Sequence, residues 1–295
     1  MMPVDLHMHS CYSNDGEYTV ANLVERCRER QVRVFSITDH NSVRANPEAV
    51  GITRSLGMDY IPGIEIDCIY KGINLHVLGY HIDWRSSDFT VLENDVFQKV
   101  IQSFDRMIEN IQAIGFRIDQ DAVLSRAEGM LPSAELIAEV MLSGEEYYSP
   151  VLEPYMPGGA RSDMPYINFY LDYFAQGKPA FVPVEYISFH EAIRLIKKNG
   201  GIPVVAHPGL NLQGREQLAE ELLDEAQGLE VFNNYHTPEQ AGYFAQLVQQ
   251  TGALMTCGSD FHGKTKPLIE VGNYKSDKTC DEYLQKSIMK LLEAG

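Results

Sequence analysis

Cations are scarce in this chain: 24 Lys and Arg stand against 41 Asp and Glu, a formal charge of −17. Such a balance repels phosphate backbones at long range, which argues against a long nucleic acid gripped along an extended basic groove. Small anions are not excluded, because bound metal ions can reverse the local sign of a pocket. Long apolar runs are also missing, so no segment reads as a membrane span. The opening "MMPVDLHMHS" has no basic stretch followed by an apolar one, and a cytoplasmic location is expected. The few cysteines (Cys11, Cys27, Cys68, Cys257, Cys280) are odd in number, scattered and without a CxxC pair. That pattern argues against a disulfide framework and against a zinc ribbon, and reads as reduced thiols.

What remains is the composition of an ordinary folded enzyme, 44% hydrophobic and 22% charged, in a chain of 295 residues that can bury a sizeable core. Strand-like and helix-like segments alternate at first: "PVDLHMH", "VANLVERCRERQ", "VRVFSITDH" and "NPEAVGITRSLG". This is the βαβα pattern of a parallel sheet or barrel. "DYIPGIEIDCIY" and "INLHVLGYHID", joined by "KG", predict a hairpin. From Val96 through Val100, Phe104, Ile108 and Ile111 the spacing is helical. The chain is accordingly divided into a first barrel part (1–95), a mostly helical insertion capping the substrate (96–185) and a second barrel part (186–295). Thr237, Pro238 and Gln240 carry the start signal of a further helix.

Placed on this map, the candidate ligands share one location. His7 and His9 follow the first apolar run, His40 ends the second, Glu65 lies in "GIEID" and His76 in the return strand of the hairpin. His207 ends "PVVAHP", and Asp260 and His262 end "GSDFH". Side chains alternate along a strand, so His7 and His9 point the same way, as do Asp260 and His262. Parallel strands of a barrel converge at their C-terminal ends. The result is an imidazole and carboxylate pocket suited to Zn, Mn or Fe, with room for more than one ion. Taken singly, His76 or His207 fits equally well as a core histidine with a satisfied hydrogen bond. Taken together, a structural reading needs a separate reason for each strand end.

In order, "DLHMHSCYSNDG", "ITDHN", "GIEID", "HVLGY", "AHPG" and "GSDFHG" resemble the motifs of the polymerase and histidinol phosphatase (PHP) family. "GKPAFVP" is similar to a signature of its stand-alone phosphoesterases, the branch of 3′,5′-nucleotide bisphosphate phosphatases and RNA-trimming enzymes. The resemblance implies a distorted (β/α)7 barrel with a helical insertion and two or three divalent ions (Mn, Zn or Fe). One ion would be held by His7, His9, Glu65 and Asp260, with Glu65 bridging to a second at His76 and His207. A third would use Asp15, His40 and His262. Arg161 and Lys178 would hold the phosphate. The family's arginine is usually followed two positions later by histidine, where this chain has Asp163. His236 is a further candidate for substrate contact, with a surface role beside a helix equally open.

The reaction implied is hydrolysis of a small phosphorylated metabolite, a nucleotide or sugar phosphate monoester or a 3′,5′-nucleotide bisphosphate, by metal-activated hydroxide attacking phosphorus. Asp260 or His262 would shuttle a proton. The alternatives are a phosphodiesterase opening a small cyclic phosphate, a 5′-to-3′ exonuclease on short RNA, a histidinol phosphatase, and a non-catalytic metal-binding module.

Overall fold

The structure, a computed structural model, describes residues 3–127 and 131–294. Val4–Asp5 (β1) runs into the HxH stretch. Helix Val20–Glu29 (α1), strand Val34–Phe35 (β2), helix Asn46–Leu56 (α2) and strand Asp59–Tyr60 (β3) follow. Strands Gly63–Tyr70 (β4) and Ile73–Tyr80 (β5) precede a helical stretch of Ser87–Ala113 (α3), Gln120–Ala127 (α4), Ala134–Ser143 (α5) and Pro165–Tyr173 (α6). Alternation then resumes with Ile187–Ser188 (β6), Phe189–Lys198 (α7), Ile202–Val205 (β7), Pro208–Asn211 (α8) and Leu218–Leu222 (α9). Gly228–Phe232 (β8), Pro238–Thr251 (α10), Leu254–Cys257 (β9) and Asp281–Glu293 (α11) complete an α/β fold.

Local chemistry sets these boundaries. Thr19 caps α1 by accepting from Asn22 N, and Thr237 and Gln240 form the capping box expected for α10. The hairpin turns on Lys71 and Gly72, both at positive φ (48° and 75°), the twist that suits a two-residue turn between antiparallel strands. Two expectations shift. "DYIPGIEIDCIY" splits at Ile61 and Pro62: its first part pairs with β2 and its second with β5. The boundary expected between residues 95 and 96 falls inside α3, whose helical spacing already starts at Phe89 and Leu92 and whose cap is Ser86.

β1, β2 and β3 form a parallel sheet, and β6-β4-β5-β7-β8-β9 a second in which β5 runs antiparallel to both neighbours. The two are tied on one side by Leu6 N to Cys257 O (3.1 Å), Asp260 N to His7 O (2.8 Å) and His9 N to Phe261 O (2.9 Å). On the other side Glu65 N donates to Asp39 O (3.1 Å) and Asn41 N to Glu65 O (2.6 Å). The second junction needs Gly63, where a Cβ would lie 2.2 Å from Ser36 Oγ and 2.7 Å from Thr38 Cγ2. Asn46, fully buried, clamps it by donating to Gly63 O and accepting from Gly63 N, both at 2.9 Å. One apolar core runs from β4 and β5 through Phe104, Ile137 and Phe169 to Ile196, so the helical stretch shares the core of the sheet. A second packs α1 and α2 against Phe35, Ile37 and Phe261. All five cysteines are free. Among the described residues, no helix is long and apolar enough to cross a membrane.

Beneath the HxH stretch lies Asp5, fully buried, with its carboxyl pushed up to about 6 by that burial. It accepts from Ser259 N (2.9 Å), Ser259 Oγ (2.6 Å) and Gly272 N (2.7 Å), locking the segment that carries Asp260 to β1. Asp5→Ala leaves those buried donors unpaired and is expected to lower unfolding free energy by roughly 2–4 kcal/mol. Equilibrium urea unfolding measures this, and a wild-type midpoint and slope would show that the lock carries no stability.

Candidate metal centre

Period-two geometry along the exit of β1 places His7 and His9 on one face, beside Glu65 of β4 and Asp260 beyond β9. His7 Nε2 lies 3.0 Å from Glu65 Oε2 and 3.3 Å from Asp260 Oδ1; His9 Nε2 lies 3.2 Å and 3.1 Å from the same oxygens. The other oxygen, Glu65 Oε1, is 3.0 Å from His76 Nδ1 and 3.1 Å from His207 Nε2. On the far side, His262 Nε2 is 3.1 Å from Asp15 Oδ2, and the His262 ring stacks on His9 with centroids 3.9 Å apart. His9, Asp15, His40 and His262 converge as one set of ligand-type atoms, His7, His9, Glu65 and Asp260 as another, and Glu65, His76 and His207 as a third. All nine expected ligands are therefore brought together.

A second layer fixes the rings. Glu230 Oε1 sits 3.0 Å from His7 Nδ1, while Glu230 Oε2 accepts from His207 N at 2.8 Å. Ser13 Oγ meets His9 Nδ1 at 2.9 Å, and Asn211 Oδ1 meets His207 Nδ1 at 2.6 Å. Each contact occupies one ring nitrogen and leaves the other aimed at the carboxylates, the usual way a protein orients imidazole ligands. Asp260 Oδ2 is held by Lys266 Nζ (2.6 Å) and by the Tyr235 hydroxyl. Asp67, two residues beyond Glu65 on β4, faces the same centre, its Oδ1 3.1 Å from His76 Nε2.

The electrostatics follow from these distances. Burial raises a carboxyl pKa, yet His7, His40 and His76 hold Glu65 well below the usual range. Against the same burial, Lys266, His262 and His7 keep Asp260 ionised. Burial lowers an imidazole, but Glu65, Glu230 and Asp260 hold His7 well above its ordinary value, and Glu65 with Asp67 and Asp15 does the same for His40. His9 is pushed down to about 4 by burial and by the neighbouring His262 and His40. Four buried atoms, His9 Nε2, Asp15 Oδ1, His40 Nδ1 and His262 Nε2, have no hydrogen-bond partner among the described residues. Orphaned polar atoms cost about 1–3 kcal/mol each, so four of them converging beside ionised carboxylates fit a cation and fit little else.

Several expectations about the substrate side meet a different arrangement. Asp260, expected to shuttle a proton, is held well below the usual carboxylate range against its burial by Lys266, His262 and His7. His262 donates Nδ1–H toward Asp260 O (2.9 Å), which turns its Nε2 to Asp15. His236 is buried with both nitrogens engaged by backbone, Nδ1 with Val231 O and Nε2 with Gly209 N (each 2.9 Å), so no ring nitrogen remains for a substrate. Arg161 is paired with Asp172 through Nε (3.0 Å) and Nη2 (3.1 Å). Asp163 accepts from Asn168 at the start of α6 (2.8 Å), and Lys178 is exposed in the turn after that helix. Beside Asp15 opens a cleft of about 270 Å3 lined by Arg126, Glu135, Glu139, Tyr166 and Lys264. Arg126 and Lys264 both reach Glu139 Oε1 at 2.8 Å.

Sequence reasoning passed over Asp67, Glu230, Tyr235 and Lys266. Two of them carried a signal. Asp67 repeats the two-residue spacing that singled out the histidine pair, and Glu230 is an acid inside an otherwise apolar strand, "GLEVF".

Comparison with known proteins agrees with this centre. The family described as PHP domain matches residues 5–235, and the chain belongs to that family. It is a metal-dependent phosphoesterase. The 5′-3′ exoribonuclease Rnm of Escherichia coli is 28% identical over 274 residues, covering 91% of this chain and 87% of that protein. The phosphoribosyl 1,2-cyclic phosphate 1,2-diphosphodiesterase of Eggerthella lenta is 26% identical, covering 91% and 97%. The 3′,5′-nucleoside bisphosphate phosphatase of Chromobacterium violaceum is 24% identical, covering 92% of each. A crystal structure of a metal-dependent phosphoesterase from Bifidobacterium adolescentis superposes with a TM-score of 0.77 at 25% identity, over 99% of this chain and 96% of that one.

The raised imidazoles fix a pH dependence. His7, His40 and His76 gain their carboxylate partners only on folding, so their contribution to stability is complete below the unfolded value, about 6.5, and is lost as pH rises through the higher folded values. The chelated protein is expected to melt at falling temperature as pH is raised above about 6.5. With manganese restored the fall should vanish or reverse, because protons no longer compete for the ligands. Thermal melts with and without chelator test this, and a pH-independent melt of the chelated protein would refute it.

Proposed function

We propose that this chain hydrolyses a small phosphorylated metabolite, a nucleotide or sugar phosphate monoester with 3′,5′-nucleotide bisphosphates among the candidates, using two or three divalent ions (Mn, Zn or Fe). The observation that carries the reading is Glu65, a buried carboxylate with one oxygen on the His7, His9 and Asp260 set and the other on His76 and His207. The hydrogen bonds joining the two sheets support closure of seven strands, β1, β2, β4, β5, β7, β8 and β9, into the distorted (β/α)7 barrel, with the helical stretch as its substrate cap.

Bound there, divalent ions supply Lewis-acid stabilisation of phosphoryl oxygens and make water acidic enough to act near neutral pH. The chain's own residues do the rest. Glu65 keeps two ligand sets at a fixed separation, and Glu230, Ser13 and Asn211 hold the imidazoles in ligand-ready orientation. Lys266 and Tyr235 tie down one oxygen of Asp260 and leave the other to the centre. Arg161 can grip phosphate by exchanging Asp172 for it, as one anion for another. Lys178 supplies a second cation from the same cap.

A second reading, opening of a small cyclic phosphate diester, is favoured by the cyclic phosphodiesterase relative, 97% of whose length is matched at 26% identity. Hydrolysis of RNA is the activity named for the 5′-3′ exoribonuclease relative; the acidic balance of this chain weighs toward smaller substrates. Product analysis with the manganese-loaded protein, scoring inorganic phosphate, ring-opened monoester and released nucleotide across 3′,5′-bisphosphates, nucleoside monophosphates, cyclic phosphates, sugar phosphates, histidinol phosphate and short 5′-phosphorylated RNA, separates these readings. Fast turnover of one small ester supports the proposal, and release from RNA alone overturns it.

Two variants test the assignment of residues. His9→Ala is expected to cost more than about 100-fold in turnover with the fold retained by circular dichroism, since it removes a ligand shared by two sets. Lys178→Ala should raise KM by about 10-fold or more with metal content unchanged, the loss of one charge-assisted contact. Unchanged kinetics in either variant would take that residue out of the site.

A further inference from the structure

The ligand sets implied by the family resemblance leave Asp67 without a role, yet it is held as a ligand is held. Asp67 Oδ2 accepts from Asn41 Nδ2 at 2.6 Å, and Asp67 N donates to Asn41 Oδ1 at 3.0 Å, a closed clamp between β4 and the residue after His40. Asn41 is itself in the left-handed region (φ 55°), a conformation asparagine tolerates better than most residues. With Oδ2 so engaged, Oδ1 is presented to two imidazoles, 3.1 Å from His76 Nε2 and 3.5 Å from His40 Nδ1. The His40 nitrogen is buried and lacks a hydrogen-bond partner among the described residues, so this contact is a convergence and not a bond between the two groups.

We propose that His40, Asp67 and His76 hold one of the ions of this centre, drawing both imidazoles from the sets given above, with Asp67 as a direct ligand, and that this is the open, exchangeable position of the centre. These three ligand-type atoms lie close enough to share one ion. Their side chains are the most accessible of the centre: 18%, 14% and 26% exposed, against 11% for Asp15 and 0–3% for His7, His9, Glu65, His207, Asp260 and His262. Three protein ligands with one side left to solvent is the arrangement of a catalytic ion that takes an oxygen of water or substrate, whereas enclosed sets suit ions that stay. The inference rests on the reading above that divalent ions occupy this centre.

Manganese binding to the full chain and to Asp67→Asn tests it without reference to activity. Each protein is stripped with chelator, titrated with manganese chloride by calorimetry, and its retained ions are counted by elemental analysis after gel filtration. The variant is expected to retain one ion fewer, with the weakest wild-type site loosened by at least about 10–100-fold and the tighter sites unchanged. Wild-type stoichiometry and affinities in Asp67→Asn would overturn the proposal, and so would uniform weakening of every site, the mark of a purely structural role. Failure of the wild-type chain itself to bind manganese, zinc or iron would instead overturn the reading of the centre as a whole, so the two failures are distinguishable.

Discussion

A carboxylate with no exposure to water organises this molecule. Glu65 is fully buried and ionised, and a buried charge persists only where opposite charge and hydrogen bonds surround it. Here the surroundings come from four distant stretches: His7 and His9 after β1, His40 after β2, His76 on β5 and His207 after β7. The backbone is bent to the same end. Glu65 exchanges main-chain hydrogen bonds with Asp39 and Asn41, which requires the end of β2 to lie against β4, which in turn requires a glycine at position 63. Removing the Cβ there is what lets two strands meet at the point where the ligands must.

The same centre accounts for the unusual backbone elsewhere. His207 (φ 23°) and Asp260 (φ 56°) are non-glycine residues at positive φ, each costing of order 1–3 kcal/mol. Both are over-determined by neighbours: Glu230 accepts from the His207 amide, and Lys266 and Tyr235 hold the Asp260 carboxylate. Gly258 lets the segment before Asp260 press against His7, where a Cβ would sit 2.3 Å from the His7 Cβ. Strain, buried charge and orphaned polar atoms thus concentrate in one place, and the last two are arrangements that a bound cation would relieve.

Much of this was legible in the chain. Period two along a strand put His7 with His9, and apolar runs ending in ligand types located His40, His207 and Asp260 with no structure in hand. The capping box at Thr237 and the hairpin at "KG" were equally local and equally readable. What local pattern cannot carry is the identity of a distant partner. Arg161 lies 11 residues from Asp172, and only the fold of the helical stretch brings α6 back to it. His236 looks available in "NNYHTP", but the chain folds Gly209 N onto its free nitrogen. Lys266 sits beyond the last motif, with nothing in its own neighbours to announce that it pairs with Asp260.

Charge also couples events at this site. The cations nearest the centre already face carboxylates: Lys266 meets Asp260, and Arg126 and Lys264 meet Glu139 in the cleft beside Asp15. In the chain alone, Asp15, Glu65, Asp67 and Asp260 are faced by Lys266 and by imidazoles held above their ordinary values, so their charge is offset by protons. Divalent ions binding there would displace those protons and add the positive charge that a phosphate ester meets. The carboxylates that suit the centre to cations are the groups that would repel a phosphate if left bare, so ion binding and phosphate capture are coupled through the same side chains.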